Sequence, residues 1–129
     1  HKNYTEQMVN AIKIPVWYAV SVKDANSIVQ ANEAINCENV VGLVTDSHVK
    51  GQEGGTGVTF NCKLLKEIKR QKPLILAGGL NAENVKAAIG KVNPDVVDIS
   101  SGAEHTVDGK TAKSKDKIIK LLNEVKGHE

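Results

Sequence analysis

Short apolar runs rich in β-branched residues alternate along this chain with longer stretches whose apolar positions recur every three or four residues. The runs at 16–20, 40–45, 74–77 and 96–99 read as four strands. The first helix opens on Asn3 with Glu6 three residues later, carries Met8, Val9 and Ile12 on one face, and is stopped by Pro15. A second runs from about Asp24, its N-cap, to Ile35, and a third covers about 63–69. Asn81 caps a fourth that bears Val85, Ala88, Ile89 and Val92. Ser114 opens a last one with Ile118, Ile119, Leu121, Leu122 and Val125 on one stripe. The unbroken apolar run of the second strand predicts burial on both of its faces.

Strand starts at 16, 40, 74 and 96 are spaced by 24, 34 and 22 residues, the size of a strand–helix unit. Right-handed crossovers then make the four strands parallel and neighbouring in chain order. The pattern fits an α/β protein, either an open doubly wound sheet or part of a barrel. The opening helix lacks the preceding strand that such an alternation supplies, so the chain reads as cut from something longer. Residues 1–129 contain no linker or low-complexity stretch and read as one domain.

Composition narrows the picture. Aromatic residues make up only 3% of the chain, so the core must be built from Val, Ile, Leu and Ala, the palette of a parallel sheet covered by helices. A net charge of +2 with only four aromatic residues argues against a nucleic-acid partner. The lysines between 110 and 126 read as a solvated helix face rather than a polyanion site. No apolar run approaches the ~20 residues of a bilayer span, and the polar start His1-Lys2-Asn3 is no signal peptide, so no membrane partner and a cytoplasmic location are expected. Cys37 and Cys62 have no metal-like spacing and the four histidines form no ligand cluster; neither metal nor cofactor is expected, and both cysteines read as reduced thiols.

Chemistry concentrates where strands end. Gly78-Gly79 closes the third strand just before the Asn81-capped helix. Glycines let backbone N–H groups approach an anion, and a helix N-terminus adds its positive dipole end. Ser100, Ser101 and Gly102 repeat the arrangement after the fourth strand and add hydroxyl donors. Either turn alone is more often simply a tight turn; two at successive strand ends favour one phosphate held between them. Asp46 ends the second strand, where a carboxylate can serve as acid or base, or merely as a loop or cap residue. His48 could reach the same mouth but reads first as a solvated loop residue. Glu104, His105 and Asp108 read as an exposed polar loop.

Three signatures stand in fixed order: Asp46 with the loop GGTGVTF at 54–60, then LAGGLN at 76–81, then VDISSG at 97–102. Together they resemble the C-terminal half of phosphoribosylanthranilate isomerases, whose sixth strand ends in Asp before G-G-[ST]-G-x-x-F-D-W. The seventh strand of that family ends A-G-G-L-N-x-E-N-V and the eighth reads V-D-x-S-S-G-x-E. Asn61-Cys62 replaces the family's Asp-Trp, a change of packing more than of chemistry. His1 resembles the remnant of a Q-L-H-G segment ending strand four, with Lys2 in place of its Gly.

The resemblance implies a partial (β/α)8 TIM barrel, a half-barrel of about four parallel strands with helices. It also implies an intramolecular aldose–ketose isomerase: an Amadori rearrangement of N-(5-phosphoribosyl)anthranilate in tryptophan biosynthesis, with a sugar-phosphate substrate and no cofactor. Asp46 matches the family's general acid. Gly78, Gly79, Asp98, Ser100 and Ser101 match its phosphate-binding turns. The family's general base, a Cys in a K-x-C-G motif at the end of strand one, has no counterpart here. Cys62 stands at the Trp position and Cys37 precedes a strand. A chain of these residues alone is therefore expected to be inactive and to self-associate through the edge strands 16–20 and 96–99, or to pair with an N-terminal half-barrel. The alternative is a non-catalytic phosphate-binding half-barrel or assembly module. A ribulose-phosphate epimerase ranks last, because that family's His and Asp metal pattern is not visible.

Overall fold

The computed structural model describes residues 6–46 and 62–127. Its elements are α1 (Glu6–Ala11), β1 (Val16–Ser21), α2 (Ala25–Ile35), β2 (Val40–Asp46), α3 (Cys62–Leu65), β3 (Leu74–Ala77), α4 (Val85–Val92), β4 (Val96–Val97), β5 (Glu104–Val107), β6 (Lys110–Lys113) and α5 (Lys115–Lys126). Strands β1 to β4 form one parallel sheet in the order β1-β2-β3-β4. This is the consecutive order expected of right-handed strand–helix–strand units. His1, Asn3, His48 and the glycine-rich loop at 54–60 lie outside the described residues.

Register separates the two faces of the sheet. Tyr18 pairs with Leu43 and Leu43 with Leu74; Val20 pairs with Thr45, Thr45 with Leu76, and Leu76 with Val97. This face is the core. It packs on Ile28, Ala31, Ala34 and Ile35 of α2, on Leu65 and Ile68, and on Ala88 and Val92 of α4. Every apolar core side chain there is aliphatic apart from partly buried Tyr18, as the low aromatic content requires. Thr45 is fully buried within the layer and satisfies its hydroxyl on the Ile75 carbonyl at 3.2 Å.

The opposite face carries Trp17, Ala19, Ser21, Gly42, Val44, Asp46, Ile75, Ala77 and Val96 by alternation. Among the described residues no helix covers it: Trp17 is 45% and Val96 48% exposed. The expected burial of β2 on both faces is thus corrected. Val44 is only half-buried and Val41, displaced by an irregularity in the β1–β2 register, is exposed. The second strand is dressed for a two-sided interior, but the described residues supply one side.

Helix termini follow side-chain capping. Asp24 accepts from the Ser27 N–H at 2.9 Å while the Ser27 hydroxyl accepts from the Asp24 N–H at 3.0 Å, a reciprocal box that starts α2. Ser114 starts α5 as expected. Other bounds differ. Helix α1 stops at Ala11, four residues before Pro15, and α3 is four residues long rather than seven. The last helix is less buried than its stripe suggested: Leu121 is buried, Ile119 and Leu122 are exposed, because α5 packs chiefly on α4 and the turn after β4. The expected loop at Glu104, His105 and Asp108 is a β-hairpin. Strands β5 and β6 pair antiparallel, and Asp108 and Gly109 both take positive φ, 49° and 75°, in its two-residue turn.

Candidate functional site

Ser21, Asp46 and Ala77 stand side by side at the C-terminal ends of β1, β2 and β3. Asp98 follows β4, with its N–H on the Leu76 carbonyl at 2.8 Å. Strand alternation places Asp46 and Asp98 on the uncovered face, opposite Thr45, Leu76 and Val97. Both side chains are exposed. The described part of the site is therefore an open row of two carboxylates and one hydroxyl across four neighbouring strand ends. Ser21 was not anticipated; only its register partner marks it, and register is not visible before pairing is known.

The two turns at this edge are held from beneath. Gly78 and Gly79 have φ of 95° and 61°, a region that other residues enter only with strain. The Asn84 side chain donates to the Gly79 carbonyl at 3.0 Å and accepts from the Asn81 N–H at 2.9 Å. The Asn81 side chain accepts from the N–H groups of Glu83 and Asn84 at 2.9 and 3.2 Å. Asn81 thus caps the turn that leads into α4, while the N-cap of α4 itself is Asn84, three residues later than expected. Asn84 is buried and was missed as a site residue. Its place in a G-G-x-x-x-x-N spacing was the available signal.

After β4, residues 101–103 form one 3₁₀ turn, and Ser100 carries φ −105° and ψ −85°. Gly102 has ordinary φ but no room for a side chain. A Cβ there would stand 1.9 Å from the Leu80 carbonyl oxygen and 2.9 Å from the Asn81 Cα. The two turns therefore touch backbone to backbone. Among the described residues, the backbone N–H groups of Gly78, Gly79, Ser100 and Ser101 donate to no carbonyl. Amides without a carbonyl partner among the described residues, on two turns in contact before a helix, are suited to an anion.

Parallel strands alternating with helices, with polar turns and carboxylates gathered at the strand C-termini, define an α/β half-barrel of the (β/α)-barrel class. A model of the N-(5′phosphoribosyl)anthranilate (PRA) isomerase family matches residues 1–124, and the chain belongs to this family. It is 41% identical over 105 residues to the N-(5′-phosphoribosyl)anthranilate isomerase of Thermoanaerobacter sp. (strain X514), covering 81% of this chain and 50% of that one. The phosphoribosyl anthranilate isomerase of Thermotoga maritima superposes with a TM-score of 0.67 at 30% identity, over 97% of this chain and 58% of that one. Another such isomerase, solved in complex with reduced 1-(o-carboxyphenylamino)-1-deoxyribulose 5-phosphate, gives a TM-score of 0.64 at 28% identity, over 97% and 56%. The chain spans about half the length of the curated relatives it matches. Among the described residues no helix is long and apolar enough to cross a membrane.

Proposed function

We propose that these residues form the acid- and phosphate-bearing side of a phosphoribosylanthranilate isomerase. Asp46 protonates the ribose ring oxygen, so that the ring C1′–O bond breaks and the anthranilate nitrogen takes up the positive charge as an iminium. A base then removes the C2′ proton, and the resulting enolamine becomes the 1-deoxyribulose phosphate. Among the described residues nothing is assigned as that base; a base of the kind the family carries on its first strand would act from outside this segment.

In the same reading the substrate phosphate sits on the N–H groups of Gly78, Gly79, Ser100 and Ser101, with the two serine hydroxyls as further donors. Asp98 shapes the second turn from the end of β4. The observation that carries the reading is the backbone contact of Gly102 with Leu80 and Asn81, which brings two anion-suited turns to one place. The relative bound to a deoxyribulose 5-phosphate supports a ligand of that chemistry. The cytoplasm is the compartment that fits a biosynthetic isomerase of this kind.

The test is a titration of the chain with ribose 5-phosphate followed by amide chemical shifts, which should move Gly78, Gly79, Ser100 and Ser101 together. In an enzyme completed with the N-terminal segment of a relative, Asp46→Asn should lower isomerase turnover by about 10²–10⁴-fold while the phosphate affinity is kept. Near-normal turnover of that variant would move the acid to another residue.

A further inference from the structure

We propose that Lys113 is a positioning residue for the second phosphate turn: its ammonium orients the Ser100–Ser101 peptide so that the Ser101 N–H faces the anion. The proposal rests on the reading above, that this turn takes a phosphate. Lys113 Nζ donates to the Ser100 carbonyl at 2.9 Å and to Glu104 Oε1 at 2.7 Å. The Ser100 carbonyl also accepts from the Ala103 N–H at 3.1 Å. A trans peptide is planar, and its C=O and N–H point to opposite sides. Two donors on the Ser100 oxygen therefore set the direction of the Ser101 N–H, which donates to no carbonyl among the described residues.

Lys113 is itself held. It ends β6, directly opposite Glu104 at the start of β5, and the Glu104 carbonyl accepts from Lys117 of α5 at 2.6 Å. The Ser114 N–H completes the brace on the Ala103 carbonyl at 2.8 Å. The hairpin and the last helix thus grip the turn. The Lys113 side chain is 52% exposed, so its pair with Glu104 adds little stability by itself. Glu104 also offsets its charge, leaving orientation as its means of acting. A turn ordered before the ligand arrives spares the anion the cost of ordering it.

The experiment is the same amide-resolved titration with ribose 5-phosphate, run well below the melting temperature. Lys113→Met should weaken binding about tenfold, the scale of a hydrogen bond to a charged donor, and should shrink the Ser101 response more than the Gly79 response. Lys113→Arg, which keeps a charged donor, should recover most of the affinity. Glu104→Gln is the second variant: it leaves the ammonium on the Ser100 carbonyl and should bind like the parent. If Lys113→Met binds like the parent while Gly79→Val does not bind, the positioning role is overturned and the phosphate reading stands. If Glu104→Gln loses as much as Lys113→Met, the hairpin as a whole sets the affinity and the proposal falls. If Gly79 and Ser101 of the parent do not respond at all, the phosphate reading falls and takes this role with it.

Discussion

At Gly102 a single hydrogen in place of a methyl group decides whether two turns can meet. Its backbone conformation suits any residue, so the demand for glycine is purely one of space. Replacing it by Ala drives Cβ onto the Leu80 carbonyl, which belongs to backbone and cannot swing away. Gly102→Ala should cost about 2–3 kcal/mol of stability, the upper range for overpacking, and should abolish the ribose 5-phosphate response. Urea unfolding read beside the titration checks both. A variant that keeps its stability and its binding would show that the turns need not touch. The glycine was visible in the SSG motif, yet the motif offered it as one more open amide. Its actual service is to Leu80, twenty-two residues away in sequence, and contacts of that kind have no local signal.

Between elements, one carboxylate links the starts of two strands. Asp95 accepts from the Leu74 N–H at 2.8 Å and from Arg70 at 2.9 Å, and Arg70 also donates to the Asn93 carbonyl at 3.0 Å where α4 ends in a left-handed cap. The Leu74 amide first, and the Arg70 guanidinium with it, hold the Asp95 carboxyl below its ordinary value of 3.8. Folding lowers this pKa, so the stabilisation is fully present above 3.8 and is lost as pH falls through the lower folded value. Asp95→Asn should therefore cost about 0.5–1 kcal/mol at pH 7, a modest figure because the pair is half exposed. The difference from the parent should narrow in urea melts near pH 3. A gap that stays constant with pH would mean that the charge is not what matters. A similar but looser tie runs from Lys120 of α5 to Glu83, whose carboxyl is lowered chiefly by that hydrogen bond. Most helix and strand cores were legible because periodicity is a local property. The β5–β6 hairpin was not: Glu104, His105, Thr106 and Val107 lack an apolar alternation, and the pairing is decided by the Asp108-Gly109 turn and the lysine contacts.

For the whole molecule, the uncovered sheet face dominates. Trp17 lies over Gly42, where a Cβ would stand 2.1 Å from the indole ring, and nearly half of its surface is open. With Ala19, Val44, Ile75 and Val96 it makes one apolar surface bounded by two edge strands, a combination that favours association. A polypeptide of these 129 residues should therefore sediment with a mass that rises with concentration. The fluorescence of its single tryptophan should shift to the blue over the same range. Trp17→Glu should reduce the association; a compact monomer at high concentration would refute it.

That surface also marks the division between what the chain's own order determined and what required three dimensions. The parallel α/β alternation, the aliphatic core, the positions of Asp46 and Gly78-Gly79 at strand ends, and the caps Asp24 and Ser114 follow from local pattern and spacing; β4 stops at Val97, short of the expected Ile99, so Ser100-Ser101 stand in the turn beyond it. Each depends on residues within a turn or a strand of one another. Tertiary structure decided which face of β2 is covered, that Ser21 stands beside Asp46, that Gly102 seats against Leu80, and that Lys113 reaches the Ser100 carbonyl. These depend on register and on approach between distant segments, where the free energy lies in a contact that neither segment contains alone.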